Sequence, residues 1–316
     1  SFYQYLSVAR TQAGRRRLAE ALQPAPPDFA ALRQRQQAVA EIIERQRLAI
    51  DLQGLSRLLP EGHNTSGLLL ELQKSPQPPS PALLWLIRLL PLAALTSLLG
   101  AAAGFMDWLP GGLLVLLQLT LTLPLAPRHN LCLKPLQHLS RELSVYQQLF
   151  ARLEQTDFHS TRLARLSAQL RQGRGASHSL QQLARISDFA EMRYNFFFFL
   201  LANGLLLWDF HCRALFQSWQ ARAARDLPRW LKVWSEWELL MSLAVIGQTR
   251  ENCCFPLLLT DAAPRLQAEK LQHLLMPEEK AVPNDIQARS ETRIITGSNM
   301  SGKTTYLRTL ASSCVL

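Results

Sequence analysis

The sequence lacks the residue patterns of metal-binding and of most catalytic sites. It contains five cysteines and seven histidines in 316 residues, with no Cys-x-x-Cys pair and no Cys/His spacing typical of zinc ligands. Cys253 and Cys254 are adjacent, a poor geometry for a disulfide between them, and so few cysteines fit the reducing cytosol. No Ser/His/Asp or Cys/His set occurs at a recognisable spacing, so we assign no catalytic residue. The amino end shows no secretory signal.

Acidic residues are also scarce relative to basic ones. Lys and Arg number 34 against 24 Asp and Glu, which gives a net charge of +10. The excess is mostly arginine, and this balance suits a nucleic acid or an anionic membrane surface as partner. The alternative is a set of solvated helix faces that keep the protein soluble. The arginines concerned are Arg15, Arg16, Arg17, Arg33, Arg35, Arg45, Arg47, Arg162, Arg165, Arg171 and Arg174.

Two long apolar runs lie near the middle of the chain. Leu83 to Phe105 carries a single charge and Leu109 to Leu125 carries none, with Asp107 between them. Their lengths predict a transmembrane hairpin, and Trp85 and Trp108 stand near the ends, where aromatic residues favour the membrane interface. The alternative is a buried helical pair in a soluble core. This alternative stays open because both runs contain prolines and glycines, which weaken regular helices.

The flanks of this hairpin predict its orientation. Lys74 precedes it and Arg128 and Lys134 follow it, so the positive-inside rule places both flanks in the cytosol. We therefore expect a membrane-associated protein with cytoplasmic domains, or, if the hairpin is a soluble core, a soluble cytoplasmic protein. A third apolar run, Phe196 to Trp208, is too short to span a membrane and predicts a buried helix.

Most of the remaining chain has helical periodicity. Leucines and a tyrosine form a stripe within residues 130–192, and the Gly173-Arg-Gly175 break predicts a turn there. A second stripe, which we interpret as core packing, recurs at helical spacing. The first stripe is Leu139, Leu143, Tyr146, Leu149 and Leu153, and the second is Trp230, Trp234, Trp237 and Met241.

One motif names a ligand. Gly297-x4-Gly302-Lys303-Thr304 fits the phosphate-binding loop pattern, between an apolar, strand-like Ile294-Ile295 and a helix-forming stretch. In such loops the lysine binds the β- and γ-phosphates and the Thr304 hydroxyl ligates Mg²⁺. The predicted cofactors are therefore ATP and Mg²⁺. The predicted site comprises Gly297, Ser298, Asn299, Met300, Ser301, Gly302, Lys303, Thr304 and Thr305.

The loop also carries a family resemblance. Thr296 to Arg308 resembles the MutS-family pattern TGxNMxGK[ST]T-[YF]-[LM]-R, and Val282-Pro-Asn-Asp285 resembles the segment that enters the MutS ATPase domain. Thr11-x-x-Gly14-x-x-x-Leu18 and Arg35-Gln36-x-Ala38-Val39, with Leu207-Trp208-Asp209 and Glu238-x-Leu240-x-Ser242-Leu243-Ala244, are similar to segments of the MutS core. Around His273 the family's glycine and proline are absent, and no aromatic residue precedes Asn284 to stack on adenine.

The resemblance implies a MutS-like DNA mismatch-repair ATPase that binds DNA and works as a dimer, here in a membrane-associated form. The expected fold is mainly α, a helical core and lever, with a two-helix transmembrane hairpin and the start of an α/β P-loop ATPase domain. We divide the chain into residues 1–74 (helical core), 75–128 (proline-rich linker and hairpin), 129–260 (lever and core helices) and 261–316 (truncated ATPase domain).

Because the sequence starts at Ser1 and stops soon after the loop, we expect a fragment. Its missing acidic Mg²⁺ ligand and water-activating residue would lie beyond Leu316, so the fragment alone is expected not to hydrolyse ATP. Two other functions stay open: a membrane transporter with a P-loop motor, and a non-enzymatic, nucleotide-switched membrane scaffold of MutS type that does not act in mismatch repair.

Overall fold

A computed structural model describes residues 2–23, 28–62, 80–259, 265–289, 291–298 and 302–315. The chain divides into two compact units, each assembled from separate stretches of sequence. The first comprises Ser1–Asp51, His159–Leu163 and Trp234–Leu316, and the second Leu52–Phe158 and Ala164–Val233. The four consecutive segments expected from the sequence stay a prediction.

The described residues are mainly helical, with two short strands. Strands β1 (Leu266–Leu271) and β2 (Asn284–Ala288) pair antiparallel. The helices, in chain order, are α1 (Phe2–Leu6), α2 (Gln12–Ala21), α3 (Phe29–Glu44), α4 (Gln46–Ser56), α5 (Pro81–Ala102), α6 (Trp108–Thr122), α7 (Ala126–Gln155), α8 (Thr161–Arg171), α9 (Ala176–Glu191), α10 (Phe196–Leu206), α11 (Trp208–Ala223), α12 (Leu227–Thr249) and α13 (Lys303–Val315). Short 3-10 turns occupy Leu123–Leu125, Met192–Tyr194 and Glu278–Lys280.

In the first unit, α2 begins at a capped end that is joined to α12. Thr11 is the N-cap, and its hydroxyl accepts the N–H of Gly14 at 3.0 Å. The same hydroxyl donates to Glu238 of α12. Leu6 and Leu18 pack with Leu239 of α12 in a buried apolar cluster. The amino-terminal helices are therefore held to the same helix by both polar and apolar contacts.

In the second unit, α7 and α9 pack along the predicted stripe. Leu143, Tyr146, Leu149 and Leu153 are all buried, while the side chain of Leu139 lies outside the described residues. The Trp219 indole of α11 donates to the carbonyl of Ser179 at 2.7 Å. The predicted turn at Gly173–Gly175 is present, with φ of +70° at Gly173 and +84° at Gly175, conformations that glycine adopts without strain.

Helices α5 and α6 are the predicted apolar hairpin. Pro81–Ala102 and Trp108–Leu125 are long and apolar enough to cross a membrane, and only 17% of each is buried. Buried core helices of this composition would be covered by other elements. The two helices approach closely at Gly111, where an added Cβ would lie 2.7 Å from the Leu98 side chain. Small residues permit this kind of packing between helices in membranes.

Two polar contacts tie this hairpin together and to α11. Gln118 of α6 is buried and donates to the carbonyl of Leu90 at 3.2 Å. Pro91 has no N–H to offer the carbonyl of Ile87 one turn earlier. The His211 imidazole of α11 donates to that carbonyl instead. The proline inside α5 is therefore accommodated, because a side chain satisfies the backbone group that it leaves free.

Helix α10 differs from its prediction. The run from Phe196 was expected to be a buried helix, but Phe196, Phe197 and Leu201 are exposed, and the buried residues are its smaller ones, Ala202, Asn203 and Gly204. The prediction failed because length excludes a membrane span but says nothing about which side of a short apolar helix is covered.

The segment before the phosphate loop also differs. Ile294 and Ile295 were expected to form a strand, yet residues 292–298 have no regular secondary structure and Ile294 is exposed. A strand requires a hydrogen-bonded neighbour, and a parallel one is covered on both faces. Among the described residues the strands are β1 and β2 alone, and they pair with each other. An α/β P-loop sheet is therefore an expectation that the described residues do not display.

Candidate nucleotide-binding loop

The predicted site divides into a described and an undescribed part. Gly297, Ser298, Gly302, Lys303, Thr304 and Thr305 are described. Asn299, Met300 and Ser301, which include the residues most typical of the MutS pattern, lie outside the described residues. The described part of the site is therefore the two ends of the loop.

Gly302 connects the loop to α13. Its φ is +82°, a conformation in which glycine is unstrained, and a Cβ added there would meet nothing within 4 Å. Helix α13 starts at the next residue, and the N–H of Tyr306 donates to the carbonyl of Gly302 at 2.9 Å. The first N–H groups of α13 have no partner within the helix, and the positive end of the helix dipole lies there. Such a terminus favours an anion.

Lys303 joins the two ends of the loop. Its ammonium donates to the carbonyl of Ser298 at 2.6 Å and also to that of Gly297. The positive charge thus lies over the loop, beside the first residues of α13. Phosphate oxygens are strong acceptors for an ammonium, so a bound phosphate would compete with these two carbonyls for the same donor.

Thr304 and Thr305 begin the helix and are exposed. Hydroxyl and phosphate oxygens are the hard ligands that Mg²⁺ prefers. The Thr304 hydroxyl therefore fits the predicted role of a Mg²⁺ ligand together with phosphate, and Thr305 adds a second hydroxyl nearby. The cation, the glycine turn and the helix terminus together fit a polyphosphate with its metal.

The His273 stretch and the Val282–Asp285 motif make local contacts. The Asp285 carboxylate accepts the N–H of Lys270 at 2.7 Å, and the Asn284 amide donates to the carbonyl of Val282 at 3.0 Å. The His273 ring accepts the N–H of Leu275 at 3.2 Å. The Val282–Asp285 motif thus shapes the β1–β2 pair. This role has no signature in the sequence, because the partner of Asp285 is a backbone group.

Comparisons of the chain with protein-family models, with curated proteins and with solved structures found no match. The assignment of a ligand therefore depends on the chemistry of the loop and on the motif resemblance.

Two of the MutS-like segments meet in the structure. The Glu238 carboxylate accepts the N–H groups of Arg10 and Thr11 at 2.9 and 3.0 Å and the Thr11 hydroxyl. The Ser242 hydroxyl, one turn further along α12, contacts the N–H of Val8 at 3.3 Å. Burial raises the pKa of Glu238 although these hydrogen bonds favour its charged form. Glu238 is thus a buried acceptor for backbone groups and a hydroxyl.

Part of the arginine excess is held in ion pairs. Arg17 and Arg162 both contact Glu236, at 3.2 and 2.9 Å. Burial and the nearby Arg162 lower the pKa of Arg35. Two arginines of the first unit thus share the carboxylate of Glu236, and Arg17 also contacts Glu20 at 3.6 Å.

Proposed function

We propose that this chain is the ATP-binding part of a MutS-like ATPase that is held at a membrane by α5 and α6. The observation that carries the proposal is the loop, in which a glycine turn leads directly into α13 and Lys303 lies over the carbonyls of Gly297 and Ser298. ATP with Mg²⁺ is the proposed ligand, with Lys303 on the phosphates and Thr304 on the metal.

Substitution of Lys303 tests this ligand. A hydrogen bond to a charged group contributes about 1.5 to 3 kcal/mol, so Lys303→Ala should raise the Kd for Mg-ATP by roughly 10- to 150-fold. Lys280→Ala is the matched control, because this exposed lysine lies outside the loop. Anisotropy of a fluorescent ATP analogue measures the Kd, with and without EDTA. Equal affinity of the Lys303→Ala variant and the unaltered chain would contradict the proposed site.

The contact between Thr11 and Glu238 supports the MutS-like core. The two segments were recognised separately, and they lie 227 positions apart in the sequence. Because α2 and α12 join through residues of these two segments, the contact supports the proposal that both belong to one core. A homodimer with ATP sites completed across the interface follows from the resemblance and is part of the proposal.

The exposed apolar surfaces of α5 and α6 support the membrane anchor, since leucines and tryptophans on both helices face outward. Membrane fractionation of cells that express the protein tests the anchor. The protein should remain in the pellet after alkaline carbonate extraction. Recovery in the soluble fraction would remove the anchor and leave the loop proposal intact.

DNA is the proposed macromolecular partner, supported by the resemblance and by the net charge of +10. Binding of a labelled duplex should weaken steeply as salt rises, because phosphate contacts release counterions. The exposed hairpin also favours a second function, a nucleotide-switched membrane scaffold outside mismatch repair. ATP binding without salt-dependent DNA binding would select the scaffold.

A further inference from the structure

Helix α10 presents an apolar face that nothing within the described part of the second unit covers. Phe196, Phe197 and Leu201 are 69%, 81% and 66% exposed. The helix contains no charged residue, and its one polar side chain, Asn203, is fully buried. Soluble monomers rarely leave such a concentrated apolar surface in water.

This face is continuous with the hairpin. Gly204 of α10 packs against α6, where an added Cβ would lie 3.3 Å from Val115 and 3.5 Å from Leu119. Close packing on a glycine brings the two backbones together, as at helix contacts within membranes. Lipid that surrounds α6 would therefore meet the outer face of α10 as well.

The polar side chains in and beside α10 have hydrogen-bond partners within the protein. The Asn203 amide donates to the carbonyl of Phe199 at 3.1 Å, and its oxygen accepts the N–H of Asp209 at 3.0 Å. Asn195 caps the first turn by accepting the N–H of Phe198 at 3.1 Å. The buried amide of Asn203 thus has a partner for both its donor and its acceptor, as a polar side chain requires in an apolar phase.

The segments that flank α10 contact each other. Arg193, just before the helix, and Asp209, just after it, form a buried ion pair at 3.0 Å. The Trp208 indole also donates back to the carbonyl of Phe189 at 3.0 Å. At 1.5 Å per residue, 11 residues extend roughly 16 Å, about half of the hydrocarbon thickness of a bilayer.

We infer that α10 inserts into one leaflet beside α6, as a third membrane element that does not cross, with Phe196, Phe197 and Leu201 among the lipid acyl chains. This inference rests on the proposed anchoring of α5 and α6. A helix without charged residues that is too short to span, and whose flanking segments are tied to each other within the protein, fits a position within one leaflet. We assign lipid as the cover of this face, because the face adjoins α6, a helix with the composition of a membrane span.

Photo-crosslinking of the full chain in vesicles of phosphatidylcholine and phosphatidylglycerol (3:1) tests the inference. Phe197 is replaced by p-benzoylphenylalanine, with Leu113 on α6 as the hairpin reference. Leu257, outside these helices and 85% exposed, is the exposure-matched control. After irradiation, mass spectrometry separates lipid adducts from protein adducts. We expect a lipid-adduct yield at Phe197 comparable with that at Leu113 and background yield at Leu257.

Each other result overturns the inference in a distinguishable way. Lipid adducts at Leu113 alone would leave the anchor standing and refute insertion of α10. Absence of lipid adducts at both positions would refute the anchor as well. Protein adducts at Phe197, as covalent dimers, would show that a second copy covers this face. The same label at Leu201, on the same face, repeats the test should the first variant misfold.

Discussion

Substituting alanine for Gly14 should destabilise the amino-terminal helices, although the same change stabilises most helices. Glycine inside a helix is less favourable than alanine by roughly 0.5 to 1 kcal/mol. Gly14 lies in the first turn of α2, directly against Glu238. A Cβ at this position would lie 2.8 Å from the Cβ of Glu238 and closer still to its Oε2. Because Glu238 is buried, it cannot move into solvent to make room.

The size of this destabilisation follows from the hydrogen bonds that a displaced Glu238 carboxylate would lose. Two backbone N–H groups and the Thr11 hydroxyl donate to it. An unsatisfied buried donor costs about 1 to 3 kcal/mol, and overpacking of a core costs about 1 to 3 kcal/mol by itself. These effects overlap, since a partial shift of Glu238 relieves the clash while it lengthens the bonds. We expect a net loss of about 3 kcal/mol after the helix gain is subtracted.

Hydrogen exchange measured by mass spectrometry reports the stability of each segment separately. It therefore suits a chain with two compact units. A loss of about 3 kcal/mol should speed exchange of the α2 amides on the order of a hundredfold. Gly54→Ala in α4 is the matched control, because a Cβ there meets nothing within 4 Å. It should slow exchange about two- to fivefold. Unchanged or slower exchange in α2 of the Gly14→Ala variant would refute the steric argument.

Two further predictions concern buried charge. The pKa of Glu238 is raised above 4.5 in the folded state, chiefly by burial, so its contribution to stability is fully present below pH 4.5 and is lost as pH rises through the folded pKa. Glu238→Gln should remove that dependence, seen as a urea midpoint that no longer falls between pH 4 and 8; an unchanged fall would contradict it. Arg193→Met should destabilise the second unit by about 3 to 5 kcal/mol, because it leaves Asp209 buried without its cation. Thermal unfolding in detergent measures this loss, and adding Asp209→Asn should recover part of it; equal melting temperatures of the unaltered and Arg193→Met chains would refute the role of the pair.

The sequence predicted those elements whose signal is local. Apolar runs at 83–105 and 109–125 became helices Pro81–Ala102 and Trp108–Leu125, because composition and length alone define such segments. The stripe at Trp230, Trp234 and Trp237 is buried, as expected. Helical spacing places these side chains on one face whatever packs against them. The helix Lys303–Val315 was predicted from its own helix-forming residues and from the glycine just before it.

The features that the sequence missed depend on distant partners. Phe196–Leu206 has the same composition whether protein or lipid surrounds it, and the contact that fixes its orientation joins Gly204 to Val115 and Leu119 on another helix. Ile294 and Ile295 have strand propensity, but a strand exists only beside a hydrogen-bonded neighbour. The role of Glu238 was equally hidden, because its partners are backbone groups more than 220 positions away.

Glu238, Thr11 and Gly14 bear on the fold of the chain, whereas the phosphate loop bears on its function. Gly14 leaves room for a carboxylate, Thr11 both caps α2 and donates to that carboxylate, and Glu238 accepts two backbone N–H groups. Each residue type thus has a reason in packing alone. These positions therefore report on the packing of the helices and carry no information about nucleotide chemistry. That information lies in the loop. There the ammonium of Lys303 lies at the amino terminus of α13, and neither helix packing nor burial requires a positive charge at this position. ATP affinity of the Lys303→Ala variant consequently tests the function, whereas substitutions at Gly14 and Glu238 test the fold.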